Sequence, residues 1–270
     1  SKDDLPFTAL FVGSVKEEDC DGLCWQYIVK EDKIRPDVVI LTEPTDGNIN
    51  RGQRGRMEIE IVVDGVSCHG SAPERGVNAI YKLAPIITAL EKFNSQLPSD
   101  EFLGKATLAA SQIRSNSPSL CAVADMAAIY IDRRLTWGET PELAVDQLKS
   151  LNEIQAAKAH VQIPQYETPS WRGTVYPTPK TYPTWALREG HPFLKYASNC
   201  HKQLFNTDVN IGKWTFSTNG VATMGIFDIP TFGYGPGQEK MAHAPNEYVE
   251  IDDLCRCAAF YASYPWSLIK

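Results

Sequence analysis

The stretch from Phe7 to Thr45, FTALFVGSVKEEDCDGLCWQYIVKEDKIRPDVVILTEPT, holds two apolar runs, each followed by acidic side chains. The run Phe7-Thr8-Ala9-Leu10-Phe11-Val12 has the composition of a buried strand and is closed by Gly13. The second run, Asp37 to Leu41, is introduced by Pro36, which cannot continue a helix. Cys20 to Arg35 between them has the length of a crossover helix, so the stretch reads as a right-handed strand-helix-strand unit with parallel strands. Parallel strands end on the same side. Glu17, Glu18 and Glu43 are therefore expected in the crevice where open α/β sheets bind ligands. Carboxylates gathered there repel one another unless a cation lies between them, and a divalent ion is the natural partner.

A third donor is expected late in the chain. Ile229 to Gly237 is an apolar run ending in a Gly/Pro loop, and His243 lies in that loop before a helix expected over Ile251 to Tyr261. Imidazole with carboxylates is a zinc-type donor set. The middle of the chain reads as a separate module. Met57, Ile59, Ile61 and Val63 alternate with polar residues, the period of a half-buried strand. Ile80, Leu83, Ala84, Ile87 and Leu90 fall on one helical face. Strands follow over Ala106 to Ile113 and Met126 to Ile131. Thr140 and Pro141 then open a second helix, and His160 to Ile163 forms a last strand. Strand, helix, strand, strand, helix, strand is the order of a ferredoxin-like sandwich.

Five motifs then occur in order: Glu17-Glu18; Glu43-Pro44-Thr45; Cys68-His69-Gly70-Ser71-Ala72-Pro73 with Gly76-Val77-Asn78-Ala79-Ile80; Asp132-Arg133-Arg134; and Gly235-Pro236-Gly237 with His243-Ala244-Pro245-Asn246-Glu247. Together they resemble the binuclear-zinc family of acetylornithine deacetylase, succinyl-diaminopimelate desuccinylase, aminoacylase and carboxypeptidase G. Glu17 to Gly22 and Ile131 to Thr140 are most similar to a subgroup named for selenium metabolism.

The resemblance implies a zinc-exopeptidase-like α/β catalytic domain, residues 1–55 and 166–270, with an inserted ferredoxin-like α+β lid and dimerisation domain, residues 56–165. It implies an amide-cleaving deacylase or exopeptidase acting on a small N-acyl amino acid or dipeptide. By resemblance Glu17 matches the general base, Glu18 and Glu43 match ligands of the two zinc ions, and His243 completes the first ion's shell. His69 matches the oxyanion-stabilising histidine contributed by the lid, and Arg134 the arginine that grips the substrate carboxylate. Zinc is the implied metal, with manganese or cobalt possible, and a homodimer through the lid is the implied assembly.

One departure stands against these matches. The family carries an additional upstream His-x-Asp motif whose Asp bridges the ions, and none of the five histidines here has Asp two positions on. The chain is thus expected to lack the N-terminal part of the family domain, to bind metal partially or not at all, and to be inactive alone. The alternative reading is a catalytically incomplete binding or assembly protein on the same fold. A cysteine-nucleophile mechanism at Cys68 lacks an orienting carboxylate. A net charge of -7 with no basic cluster disfavours nucleic acid, and no apolar stretch approaches a membrane span. Seven scattered cysteines fit reduced thiols in a cytoplasm. Arg133, alternating away from Arg134, is expected in a surface ion pair. Tyr166 to Trp185, rich in proline, is expected as an irregular return segment beside the substrate.

Overall fold

The structure is a computed structural model that describes residues 5–269. It divides into two compact units, Ser1–Gln53 with Trp185–Lys270, and Arg54–Thr184. In chain order the first unit opens with α1 (Leu23–Lys30), β1 (Val39–Leu41) and β2 (Ile49–Gln53). The second holds β3 (Gly55–Asp64), α2 (Ala79–Ser95), β4 (Thr107–Asn116), β5 (Met126–Leu135), α3 (Pro141–Lys149), α4 (Asn152–Ala157), β6 (His160–Gln162) and β7 (Thr181–Tyr182). The chain then returns to the first unit with β8 (Trp185–Ala186), α5 (Pro192–Phe205), β9 (Ile211–Trp214), α6 (Gly220–Thr223), β10 (Thr231–Gly233) and α7 (Ile251–Ser263).

In the second unit β3 pairs antiparallel with β5 along its whole length, and β5 pairs antiparallel with β4. The other edge of β3 is shared end to end by β6, at Glu60 to Val62, and β7, at Arg56 and Met57. The order β6-β3-β5-β4 is that of the ferredoxin-like sandwich expected from the sequence. Met57, Ile59, Ile61 and Val63 are buried against α2, α3 and α4 through Leu83, Ile86, Leu90, Leu148 and Ile154. The α2 face is rotated from the one expected. Ala79, Leu83, Ile86 and Leu90 are buried, whereas Ile80 is exposed. Thr140 caps α3 by accepting the Leu143 N–H at 3.2 Å.

Tyr166 to Thr184, expected in the first domain, lies in the second unit. A short antiparallel pairing of Gln165 and Tyr166 with Thr178 and Pro179 precedes β7, and β7 hydrogen-bonds to β3. Pro179 sits at the end of this two-residue pairing, and Pro169, Pro177 and Pro183 lie outside the strands.

In the first unit β1 runs parallel to β10, and β2 joins β10, β8 and β9 to complete a five-stranded sheet. Ile49, Phe232, Tyr234, Leu194, Ala197, Cys200 and Phe260 form its core against α5 and α7. On α5 His201 is buried beside Leu194, Ala197 and Cys200, and it contacts the Tyr234 hydroxyl through Nδ1 at 3.0 Å.

The reading of the opening stretch needs correction. Phe7 to Val12 forms no strand, and Leu10 and Phe11 are 54% and 91% exposed. Composition supplies apolar side chains, but a strand exists only through a ladder of backbone hydrogen bonds. Phe7 instead packs edge-on against Trp266, with ring centroids 5.3 Å apart. The parallel partner of β1 is β10, from the far end of the chain. The helix is also shorter than expected, because Gly22 at φ 70° cannot belong to it and Lys33, at φ 59°, lies beyond its end.

Candidate metal centre

The β1–β10 pairing assembles the site. Its strands point the same way, so the segment carrying Glu43 and the segment leading to His243 leave the sheet at one edge. Thr45 laces the two together: its hydroxyl donates to the Gly235 carbonyl at 3.0 Å and accepts the Gly235 N–H at 3.2 Å. The Trp214 indole N–H donates to the Pro44 carbonyl at 2.6 Å. A Cβ placed on Gly235 would lie 2.1 Å from the Glu43 carbonyl oxygen and 2.3 Å from that of Thr42. Gly235→Ala therefore forces the two segments apart, at a cost of about 1–3 kcal/mol. The expected result is a lower denaturation midpoint with an unchanged urea m-value; unchanged stability would mean the strand ends are not packed against each other.

Glu17, Glu18 and Asp19 stand on a turn closed by the Cys20 N–H on the Lys16 carbonyl at 3.0 Å, with Lys16 at φ 61°. Adjacent side chains on a turn can serve one site, which a strand would forbid. Glu18 Oε2 lies 3.4 Å from His243 Nε2, with both side chains about three-quarters exposed, 75% and 76%. His243 itself is held at φ 59°, and its N–H donates to Glu247 Oε2 at 3.1 Å. A non-glycine residue in the left-handed region carries strain that the surroundings must hold in place.

Burial pushes the Glu43 carboxyl above the ordinary glutamate range; the charges of Glu18 and Asp21 push the same way, and His243 opposes them. Glu18, Glu43 and His243 thus belong to one electrostatic neighbourhood, together with Asp21, which is 4% exposed. The acidic turn is fixed from a distance. Asn219 accepts the Gly22 N–H at 2.9 Å through Oδ1 and donates to Ser14 Oγ at 3.0 Å through Nδ2. Sequence reasoning missed Asp21 and Asn219. Asp21 sits inside the first motif, whereas Asn219 lies in a polar loop whose spacing gives no sign of a role.

The donor chemistry suits zinc, since carboxylates and an imidazole meet at one sheet edge. The geometry is incomplete: among the described residues, no group of three His, Cys, Asp or Glu side chains is placed to hold an ion.

The two remaining candidates lie in the second unit. His69 makes an isolated antiparallel bridge with Ala122, and its exposed ring contacts Ser71. Arg134 forks onto Asp132, Nε to Oδ1 at 2.7 Å and Nη2 to Oδ2 at 3.1 Å, so any carboxylate it binds competes with Asp132. Arg133 corrects an expectation, for it forms no surface ion pair. Its side chain is fully buried and donates to Glu139 at 2.5 Å, because its side of β5 is the one covered by the helices.

A family model described as the peptidase dimerisation domain of M20 matches residues 51–160. Uncharacterized protein YgeY of Escherichia coli (strain K12) is 55% identical over 261 residues, covering 97% of this chain and 65% of that protein. Acetylornithine deacetylase of Klebsiella pneumoniae (strain 342) is 24% identical over 248 residues, covering 89% of this chain and 59% of that one. The chain thus spans less than two thirds of the length of either relative. The crystal structure of aminopeptidase PepT from Bacillus cereus matches 95% of this chain and 63% of its own with a TM-score of 0.66 at 16% identity. The order of motifs from Glu17 to Glu247, the ferredoxin-like insertion and these relatives agree: residues 51–160 match the M20 peptidase dimerisation domain, and the chain as a whole is similar to M20 amidohydrolases and exopeptidases.

Proposed function

We propose that this chain is the larger part of a metal-dependent hydrolase that cleaves the amide bond of a small N-acyl amino acid or dipeptide. The observation that supports this reading is the approach of Glu18 Oε2 to His243 Nε2 at 3.4 Å, with Glu43 beyond the end of β1 in the same electrostatic neighbourhood. When bound, zinc would supply an acidified water and polarise the scissile carbonyl. Glu17, beside Glu18 yet with no ligand role of its own, takes the proton of the attacking water. His69 donates to the oxyanion, and Arg134 holds the substrate carboxylate. The ions would be two in a protein of full family length, with manganese or cobalt as substitutes, and the protein would work in the cytoplasm.

A homodimer through the second unit belongs to this reading. The outer edge of β4 has no strand beside it among the described residues, and Ala109 to Asn116 are exposed along it. A long open edge invites pairing with a second copy.

A second reading, a binding or assembly protein on the same fold, is favoured by the exposure of the Glu18–His243 pair, since water competes with any ion held there. One experiment separates the two. The chain is joined to the part of YgeY that it does not span, titrated calorimetrically with zinc, and assayed on N-acetyl amino acids and dipeptides. Hydrolysis that disappears with chelator and returns with zinc supports the enzyme. Zinc binding without turnover on any member of the panel leaves only the second reading.

A further inference from the structure

We infer that Ser71 is a positioning residue that holds the His69 imidazole in its Nε2–H form, making the ring a standing hydrogen-bond donor. The inference deepens the reading of His69 as oxyanion donor and rests on it. The main-chain N–H of Ser71 points at His69 Nδ1 at 3.1 Å. A backbone N–H can only donate, so Nδ1 must offer its lone pair, and a neutral imidazole that accepts at Nδ1 carries its proton on Nε2. The Ser71 hydroxyl lies 2.7 Å from the same nitrogen and, with that lone pair directed at it, acts as a second donor. Nε2 has no partner among the described residues and is left to a ligand.

The backbone beneath the ring is held as firmly as the ring. Gly70 donates to the Cys121 carbonyl at 2.7 Å, Val123 to the Cys68 carbonyl at 2.9 Å, and Ala72 to the His69 carbonyl at 2.9 Å. A Cβ on Gly70 would lie 2.5 Å from the Cys121 oxygen, so the residue between His69 and Ser71 must be glycine for the two segments to approach this closely. With strand contact on one side and the Ser71 donors on the other, the imidazole plane is set before any substrate arrives. The alternative tautomer would present a lone pair at Nε2 and repel the negative oxygen that develops as an amide carbonyl is attacked.

The test uses the whole chain labelled with 15N-histidine and a long-range 1H–15N correlation spectrum at alkaline pH, where the ring is neutral. Wild-type His69 should be found almost entirely as Nε2–H. Ser71→Ala keeps the main-chain donor and loses the hydroxyl, and should move the tautomer ratio about fivefold toward Nδ1–H, the factor carried by one ordinary net hydrogen bond. Ser71→Thr, which restores a hydroxyl, should restore the ratio. A wild-type ring found as Nδ1–H, or an unchanged ratio in Ser71→Ala, overturns the proposal. The role of His69 is tested separately in the YgeY-extended protein. His69→Gln, whose amide nitrogen overlays Nε2, should keep more turnover than His69→Asn. If both keep full turnover, the oxyanion role is lost whatever the spectra say about the tautomer.

Discussion

Replacing Glu139 by alanine is expected to destabilise the second unit by about 3–5 kcal/mol, the cost of leaving a buried guanidinium without its counter-charge. Arg133 is fully enclosed and Glu139 is 3% exposed, so water cannot replace the lost carboxylate. The pair also fixes the turn that follows β5. Arg133 Nη1 donates to the Arg134 carbonyl at 2.7 Å, and Glu139 Oε2 accepts the Thr136 N–H at 2.9 Å. Arg133 Nε is already buried without a partner among the described residues, so the guanidinium has no spare bond to lose. Burial pulls this guanidinium below the usual arginine range, and Glu139 is the charge that resists.

Hydrogen exchange of the β3 and β5 amides reports on this unit alone, and their protection should fall more than a hundredfold, since each 1.4 kcal/mol is a factor of ten. The neighbouring pair serves as control. Asp132 and Arg134 are 32% and 25% exposed, and Asp132→Ala should cost no more than about 1 kcal/mol. Equal losses in the two variants would mean that burial does not set the worth of these pairs.

In the protein extended to the length of its relatives, Glu17→Gln should lower kcat by about 10²–10⁴, the usual contribution of a positioned general base. The substitution keeps the shape and removes the charge and with it the ability to take a proton. Glu17 stands on the turn closed at Lys16 and Cys20, and it is Glu18 that meets His243, so the Glu18–His243 contact is left intact. Zinc affinity and thermal stability should therefore stay within error of wild type while turnover falls. Glu18→Gln should do the reverse first, weakening zinc retention through loss of a charged donor. Full turnover in Glu17→Gln would place the base elsewhere.

Much of this molecule is legible in its sequence because the signals are local. Alternation over Met57 to Val63 marked a strand, Thr140-Pro141 marked a helix start, and together they implied the order of the second unit, since connections of these lengths leave few topologies. The motif order gave the family because a set of short words in fixed succession is far more specific than any one of them. Glu18, Glu43 and His243 are legible as metal-type donors near strand ends, and in the structure Glu18 meets His243 while, among the described residues, no three such side chains are placed to hold an ion.

Other features depend on pairings that no local pattern encodes. Phe7 to Val12 has a strand's composition but no ladder, while β1 finds its parallel neighbour in Thr231–Gly233. Asn219 steadies the acidic turn from nearly two hundred residues away in sequence, through one buried hydrogen bond to Gly22. Strand parity at Arg133 and Arg134 was fixed by the chain, because successive side chains on a strand face opposite ways. Only the packing of α2, α3 and α4 decided which parity lay inside, and so made one arginine a buried structural charge and left the other half-exposed beside Asp132. Alternation is a property of the backbone, whereas burial is a property of what covers it.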